Sequence, residues 1–472
     1  MAYTYKKQIK LWMLTTILIL SSLTTLTSCS NNDNGIVEPT GQVLQDGEWM
    51  GTGEGRSGTI VVKVVAKDHQ VEQVTVVSQS ESVFAQEAIN DIVVVGAGGA
   101  GLSAAVAAAE TDDGLNIVVL EKQGILGGNT NYSTGSINAA ETDIQKELGI
   151  EDTKQLFYDD TMRGGKYKNI RTSNKVTGLL TAIDGHVIGV SVQNANGSSY
   201  QLTARAVIIA TGGFGANLAM VAKLQPSLSG FATLNHPGAT GDAFDWVTAL
   251  GGATIQMANI QIHPTAEATN HILITEAVRG NGAILVNHEG QRFCNEMDTR
   301  DMVSAAILAQ SQGEALLVFD QTVRKSLASI ETYANQHLLY EGSTLEELAG
   351  LVGIPADQFI QTVSRYNAWQ KAGRDDDFGR SATGMPVALE TAPFYAVCVE
   401  PAIHHTMGGL SVNTETQVLR ADGTPIDGLF AAGEVTGGLH GANRLGGNGV
   451  ADIVVNGRLA GLAASKRILC NN

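Results

Sequence analysis

Residues 91–122 read DIVVVGAGGAGLSAAVAAAETDDGLNIVVLEK. The β-branched run at 92–95 shows no polar alternation, which is the pattern of a strand covered on both faces. It passes directly into Gly96-Ala97-Gly98-Gly99-Ala100-Gly101, a complete G-x-G-x-x-G. An alanine-rich segment at 102–110 reads as a helix, and a second apolar strand at 117–120 ends on Glu121. Gly96, Gly98 and Gly101 permit a tight turn and close backbone approach to a pyrophosphate, which sits against the positive end of the helix. The terminal acid accepts the hydroxyls of a ribose. The glycines alone are weak evidence; with strand, helix, second strand and acid in register they mark a dinucleotide-binding unit.

At 472 residues the chain has material for two or three domains, and its 54 glycines suit several phosphate-hugging turns. The formal charge of −17 gives nucleic-acid binding no electrostatic support. A dianionic small molecule would have to be drawn in by local basic residues. Cys29, Cys294, Cys398 and Cys470 form no C-x-x-C pair, no C-x-x-C-H haem site and no disulfide framework.

The N-terminus reads as a targeting segment. Lys6, Lys7 and Lys10 precede an apolar run, then a Ser/Thr-rich stretch ending Leu26-Thr27-Ser28-Cys29. This is the layout of a secretory signal over 1–28. The last four residues also resemble the bacterial lipobox, in which Cys29 becomes the lipid-modified first residue. The other reading, an uncleaved anchor helix, has a short apolar run to work with. Cleavage would remove three lysines and no acids, taking −17 to −20. Residues 29–46 then form a tether. The expected product is exported and lipid-anchored to a bacterial membrane, on its periplasmic or extracellular face.

Residues 47–90 carry two strand patterns, 60–66 and 71–78, around Lys67-Asp68-His69-Gln70, as in a hairpin. The opening resembles the start of the small FMN-binding domain that precedes some bacterial flavoprotein reductases. The S-G-A-T type motif that anchors FMN in that domain is absent, so the segment reads as a truncated remnant without FMN.

Beyond Glu121 lies a polar glycine loop, Gly127-Gly128-Asn129-Thr130-Asn131-Tyr132-Ser133-Thr134-Gly135, then a helical pattern at 137–163. Strand patterns follow at 175–180, 187–192 and 200–204, with turns at Asp184-Gly185 and Asn196-Gly197. The run Ala206-Val207-Ile208-Ile209-Ala210-Thr211-Gly212-Gly213 is another apolar strand entering glycines, and residues 235–242 (NHPGATGD) end on Asp242. Residues 259–403 differ in character, with a helix at 301–310, a strand at 315–320 and amphipathic helices at 344–350 and 356–371. The chain then returns through residues 428–434 (GLFAAGE) to a closing helix at 450–469.

Several polar clusters punctuate this region: Ile262-His263-Pro264-Thr265, Thr275-Glu276-Ala277-Val278-Arg279-Gly280, Asp298-Thr299-Arg300-Asp301, His404-His405-Thr406-Met407-Gly408-Gly409, and Gly441-Ala442-Asn443-Arg444-Leu445-Gly446-Gly447-Asn448. Each alone has an ordinary structural explanation, as a satisfied core histidine or a surface ion pair. Their joint order between the glycine motifs does not. Here the chain resembles the flavoprotein subunits of the fumarate reductase/succinate dehydrogenase family, most nearly the soluble periplasmic fumarate reductases of the flavocytochrome type.

The resemblance runs from Asp91 to the C-terminus. It implies an α/β fold: a Rossmann-like FAD-binding domain, 91–258 and 404–472, with an inserted α+β capping domain, 259–403. The expected FAD contacts are Gly96, Gly98, Gly101, Glu121, Asn129, Thr130, Gly135, Val176, Asp242, Glu434, Gly449 and Val450. Covalent relatives use a histidine after the second strand; residues 127–136 contain none, so non-covalent FAD is implied. His263, Thr275, Glu276, His404 and Arg444 would hold the substrate carboxylates, His404 being chosen over His405 by its spacing from Glu434 and Arg444. Arg300 would donate a proton, supplied through Glu276 and Arg279. With no haem motif and no FMN site, electrons would come from a separate carrier or membrane-linked donor.

The resemblance breaks near residue 170. Family members carry tens more residues between positions like Lys168 and Val176, whereas here Asn169 meets Ile170 directly. Such a loss predicts exposed apolar surface or weakly held FAD. The function implied is reduction of fumarate, or a close unsaturated carboxylate, to the saturated acid. The alternatives are a reductase of urocanate or another enoate, and a non-catalytic lipoprotein with an incomplete flavin fold.

Overall fold

The computed structural model describes residues 90–133 and 170–470, together with the backbone of 47–54, 59–67 and 70–79. The signal segment, Cys29, the tether, Gly135 and the helical pattern at 137–163 lie outside the described residues. The chain divides between Glu87 and Ala88 into two compact units. In the first, Gly47–Glu54, Thr59–Lys67 and Gln70–Gln79 form a three-stranded antiparallel sheet. Its second and third strands contain the two runs expected to pair as a hairpin.

The second unit is built around a parallel sheet. Asn90–Val95 lies between Ile117–Leu120 and Ser199–Ile209, and Pro425–Ala431 adds beyond the latter. Strand alternation divides the core. Val93 and Val95 pack on one face with Val118, Leu120, Val207 and Ile209. Ile92 and Val94 pack on the other, beneath the helices Gly99–Thr111 and Asn448–Cys470. Both faces are therefore covered, as an unalternating apolar run requires.

The two helices cross with their backbones nearly touching. A Cβ on Gly457 or Gly461 would collide with the carbonyl oxygen of Ala100 or Ala104, so small residues on both helices set the spacing. Strands Asn174–Thr181 and Val187–Asn194 extend the sheet as antiparallel ribbons against Ser199–Ile209.

Residues 260–406 form a second, antiparallel sheet. Phe394–Thr406 runs through its middle, flanked by Ile260–Glu267 along its C-terminal half and Ala315–Asp320 along its N-terminal half. Ile284–Val286 and Tyr340–Gly342 complete the sheet. The helices Arg300–Leu308, Leu345–Val352 and Ala356–Ala372 belong to the same region, whose core is separate and includes Val303, Phe319, Phe359, Tyr366 and Tyr395. The architecture is α/β, a Rossmann-like domain carrying an inserted α+β cap. The strand Phe394–Thr406 crosses the 403/404 division and carries His404 back toward the parallel sheet.

Candidate active site

The strand Asn90–Val95 delivers the glycine turn to the carboxyl edge of the parallel sheet, where open α/β sheets bind ligands. Gly96 has φ +107°, and a Cβ there would overlap the carbonyl of Ala210 on the neighbouring strand. A Cβ on Gly101 would overlap the Gly96 carbonyl, so this residue lets the helix start directly under the turn. Gly98 faces a cleft with its backbone bare; only the Gly127 carbonyl, 3.6 Å from the missing Cβ, is near.

That cleft is lined by Gly96, Gly98, Glu121, Asn129, Thr130, Val176, Asp242 and Glu434. Gly101 lies beneath the turn rather than in the wall. Glu121 is fixed at the strand end by the amides of Ala97 and Gln123, which donate to its two oxygens at 2.9 Å. Asp242 pairs with Lys122 at 3.0 Å and Lys175 at 3.5 Å. Burial opposes its ionisation, but Thr240 and Lys122 outweigh this and hold its carboxyl below the usual range.

The donor set fits FAD. Among the described residues, the buried hydroxyl of Thr211 in this wall has no hydrogen-bond partner. A bare glycine backbone, an unpartnered hydroxyl and a strand-end carboxylate together offer donors to phosphate and acceptors to ribose.

A second cavity meets the first at Asn129, Thr130, Glu434 and Ile453. His263, Thr275, Glu276, Arg300, His404 and Arg444 all line it, and so do Gly449 and Val450. The antiparallel pairing explains part of this convergence. His263 faces Ala402 across the ladder, so His404 is its diagonal neighbour, and their ring centroids stand 5.2 Å apart. Thr275 caps the short helix Glu276–Gly280, and Arg300 opens the helix Arg300–Leu308. Arg444 arrives on the glycine-rich segment before the last helix.

Arg300 is held twice. Its Nε donates to Glu276 at 3.0 Å and its Nη1 to Gln261 Oε1 at 2.9 Å. Gln261 in turn donates to Asn443 Oδ1 at 2.6 Å and to the Arg444 carbonyl at 2.8 Å. Asn443 also donates to Asp301 at 2.8 Å. Sequence reasoning singled out neither Gln261 nor Asn443. Strand alternation offered a signal for the first, since Gln261 stands two residues before His263. Arg279 is not in the wall: it is 1% exposed and sits behind Glu276, with Nη1 donating to the Glu296 carbonyl at 2.5 Å.

Burial dominates the electrostatics. It drives His263 and His404 well below the ordinary imidazole range, with help from each other and from the nearby arginines. Both are therefore neutral hydrogen-bonding groups at pH 7. Burial, then repulsion from Arg300, pulls Arg444 down to about 10. Burial raises Glu434, against the hydrogen bonds it accepts from Thr406 at 2.9 and 3.1 Å. Among the described residues, the formal cations of this wall are thus Arg300 and Arg444, with Arg279 behind them.

The family described as the FAD binding domain matches residues 91–173 and 168–450. A fumarate reductase (cytochrome) from Shewanella frigidimarina is 40% identical over 443 residues, covering 80% of this chain and 77% of that protein. The chain belongs to the fumarate reductase flavoprotein family. It is an FAD-dependent, fumarate reductase-like oxidoreductase.

The solved open conformation of a flavocytochrome c3 fumarate reductase matches with a TM-score of 0.64 at 34% identity, covering 83% of this chain and 82% of that one. A urocanate reductase from Eggerthella lenta is 33% identical over 454 residues, covering 79% of this chain and 74% of its own length. The family match breaks at 168–173, where the sequence reading places an internal loss. The alignment to the Shewanella protein takes 443 positions but only 80% of these 472 residues, so tens of its positions have no counterpart in this chain. Among the described residues, no helix is long and apolar enough to cross a membrane.

Proposed function

We propose that the chain reduces fumarate, or a close unsaturated dicarboxylate, to the saturated acid. One observation carries the reading: the Arg300–Glu276 pair stands in one cavity with His263, Thr275, His404 and Arg444, and that cavity adjoins the dinucleotide cleft. FAD, when bound, supplies hydride to one alkene carbon. Gly96, Gly98, Glu121, Asn129, Thr130, Val176, Asp242, Glu434, Gly449 and Val450 would hold it, with Gly135 as a further contact and Gly101 supporting the turn. The absence of histidine from residues 127–136 favours non-covalent attachment.

The protein's own groups handle charge and protons. Arg444, with neutral His263, His404 and the Thr275 hydroxyl, binds the carboxylates and orients the alkene. Negative charge developing on the second carbon and its carboxylate is stabilised by cationic donors already fixed in a buried wall. Arg300 transfers a proton to that carbon. Its guanidinium is a very weak acid in water, but a developing carbanion is far more basic. Arg279 protonates the Glu276 carboxylate, Glu276 passes that proton to neutral Arg300, and water reprotonates Arg279, so each group returns to its starting state.

We assign export and a lipid anchor at Cys29, with no FMN in the shortened front segment and electrons supplied by a separate carrier or membrane-linked donor. The Eggerthella relative favours urocanate as a second substrate reading. Purified protein should be yellow or become so with FAD, and should oxidise reduced viologen when fumarate is added. A colourless protein that gains no activity with FAD would overturn the enzymatic reading, and turnover of urocanate without fumarate would move the substrate class.

A further inference from the structure

Behind the proton-donating pair lies a buried ionic cluster that the reaction as described does not use. Glu296 is fully buried, and its carboxylate is saturated. Arg292 forks onto it, Nε to Oε1 at 2.8 Å and Nη2 to Oε2 at 2.9 Å. Arg380 Nη1 reaches Oε2 at 2.9 Å, and the Leu285 amide reaches Oε1 at 3.2 Å. Four accepted bonds fill a carboxylate. Asp375 is similarly committed, to Arg292 at 3.0 Å and to three backbone amides at 3.1–3.4 Å.

Arg279 enters the same cluster and finds no carboxylate oxygen. Glu296 offers it only a backbone carbonyl, while Arg380 Nη2 binds the carbonyl of Arg279 itself. Among the described residues, Arg279 Nε and Nη2 have no hydrogen-bond partner although the side chain is buried. Among the described residues, the other titratable groups beside the cluster add no anion to it. Burial, with Glu296 adding to it, pushes the Cys294 thiol up to about 12, and burial does the same for Tyr366, so both are neutral at pH 7. The cluster holds three arginines against two carboxylates, and the unmatched cation is Arg279.

We propose that Arg292 and Arg380 are positioning residues for proton supply: by occupying the Glu296 carboxylate, they leave Arg279 free to hand its proton toward Glu276. Burial pulls Arg279 down to about 10, and Glu276, three residues earlier on the same helix, is the leading charge that steadies it. An arginine locked in a carboxylate fork behaves oppositely; in Arg292 the hydrogen bonds of Glu296 overcome burial and raise its proton affinity. Arg292 and Arg380 share one carboxylate, and only Arg279, denied its oxygens, is ready to release a proton. The step is a plain transfer, from an Arg279 nitrogen to a Glu276 oxygen, and water refills Arg279.

The proposal rests on the fumarate-reducing reading, and its test separates the two. Arg292→Met keeps an apolar filler between Tyr366 and Phe378, whose rings Arg292 now covers at 5.2 and 5.1 Å. The vacated Glu296 oxygens can then capture Arg279. The expected result is a fall in kcat of roughly tenfold, on the scale of a perturbed general acid, with KM unchanged and a larger solvent deuterium isotope effect. In an Arg279→Met background there is no guanidinium to capture, so adding Arg292→Met leaves the residual turnover and isotope effect unaltered. Equal losses in both backgrounds mean a merely structural role and overturn the proposal. Should Arg292→Met fail to fold, Arg292→Lys keeps the charge, gives up one arm of the fork and is expected to lose about threefold, again only when Arg279 is present. A wild-type protein that does not turn over fumarate defeats the parent reading instead.

Discussion

Arg300→Lys tests the assignment of the proton donor directly. The guanidinium makes two bonds in one plane, Nε to Glu276 at 3.0 Å and Nη1 to Gln261 at 2.9 Å. A lysine ammonium is a shorter-reaching point donor and cannot reproduce this fork, so one of the two restraints is lost and the donor leaves its line toward the substrate. Positioned acid catalysis contributes about 10²–10⁴-fold. At about 1.4 kcal/mol per factor of ten, the barrier should rise by about 3–5 kcal/mol. The proposed reading assigns binding largely to Arg444, His263, His404 and Thr275, so KM should move by less than about fivefold. Arg300 lines the second cavity and not the dinucleotide cleft, so the flavin spectrum and its stoichiometry should be unchanged. The assay is steady-state oxidation of reduced viologen by fumarate, normalised to bound flavin. A fully flavinated variant with kcat within about threefold of wild type would refute Arg300 as the acid.

Gly101→Ala should abolish flavin binding, read as the ratio of 450 nm to protein absorbance in roughly stoichiometric reconstitution, because the new methyl collides with the Gly96 carbonyl. Gly461→Ala forces the last helix off the Ala104 carbonyl and should cost about 1–3 kcal/mol in urea unfolding without altering kcat per bound flavin. The pH dependence of kcat/KM should be flat near neutrality and fall as pH rises through about 10, because Arg279 and Arg444 act protonated and are both drawn down to that value. In the absence of substrate, stability should drop as pH falls below the ordinary imidazole value of about 6.5. His263, His404 and His405 are depressed by burial, so the unfolded chain binds more protons there, with a slope of at most about 1.4 kcal/mol per pH unit for each. Calorimetry across that window should show succinate stabilising the protein more at the acid end.

Residues 91–122 were legible because every local cue agreed: an unalternating strand, a glycine turn and an alanine helix, which the structure places at Asn90–Val95 and Gly99–Thr111. Elsewhere a single residue misled. Residues 200–204 and 206–209 read as separate strands because Arg205 interrupts the apolar run. They form one strand, Ser199–Ile209, and Arg205 donates to the Ile468 carbonyl at 2.9 Å at the end of the last helix. The strand Phe394–Thr406 escaped notice although it is rich in aromatic and β-branched residues. Pro401 argues against a central strand, since it lacks a ladder donor. It is accommodated where the ladder slips: His263 faces Ala402 and Ala266 faces Glu400, so Pro264 and Pro401 meet at the irregularity. Neither cue could be weighed without the partner strand.

The site shows the same limit at longer range. Motif order located the groups that face the cavity, but what holds them is a set of contacts spanning 39, 142 and 182 residues: Arg300 to Gln261, Asn443 to Asp301, and Gln261 to Asn443. These bonds tie Arg300, the proposed proton donor on the cap, to Arg444, the proposed carboxylate ligand on the Rossmann-like domain. They also hold two like charges in one buried wall, where Arg300 helps to depress Arg444. That arrangement is unfavourable until a dianion enters, and it is relieved most by a ligand that places negative charge between the two guanidiniums. On the proposed reading, the same repulsion would favour a dicarboxylate over a monoanion, and most of all the moment when charge builds on the carbon that Arg300 would protonate.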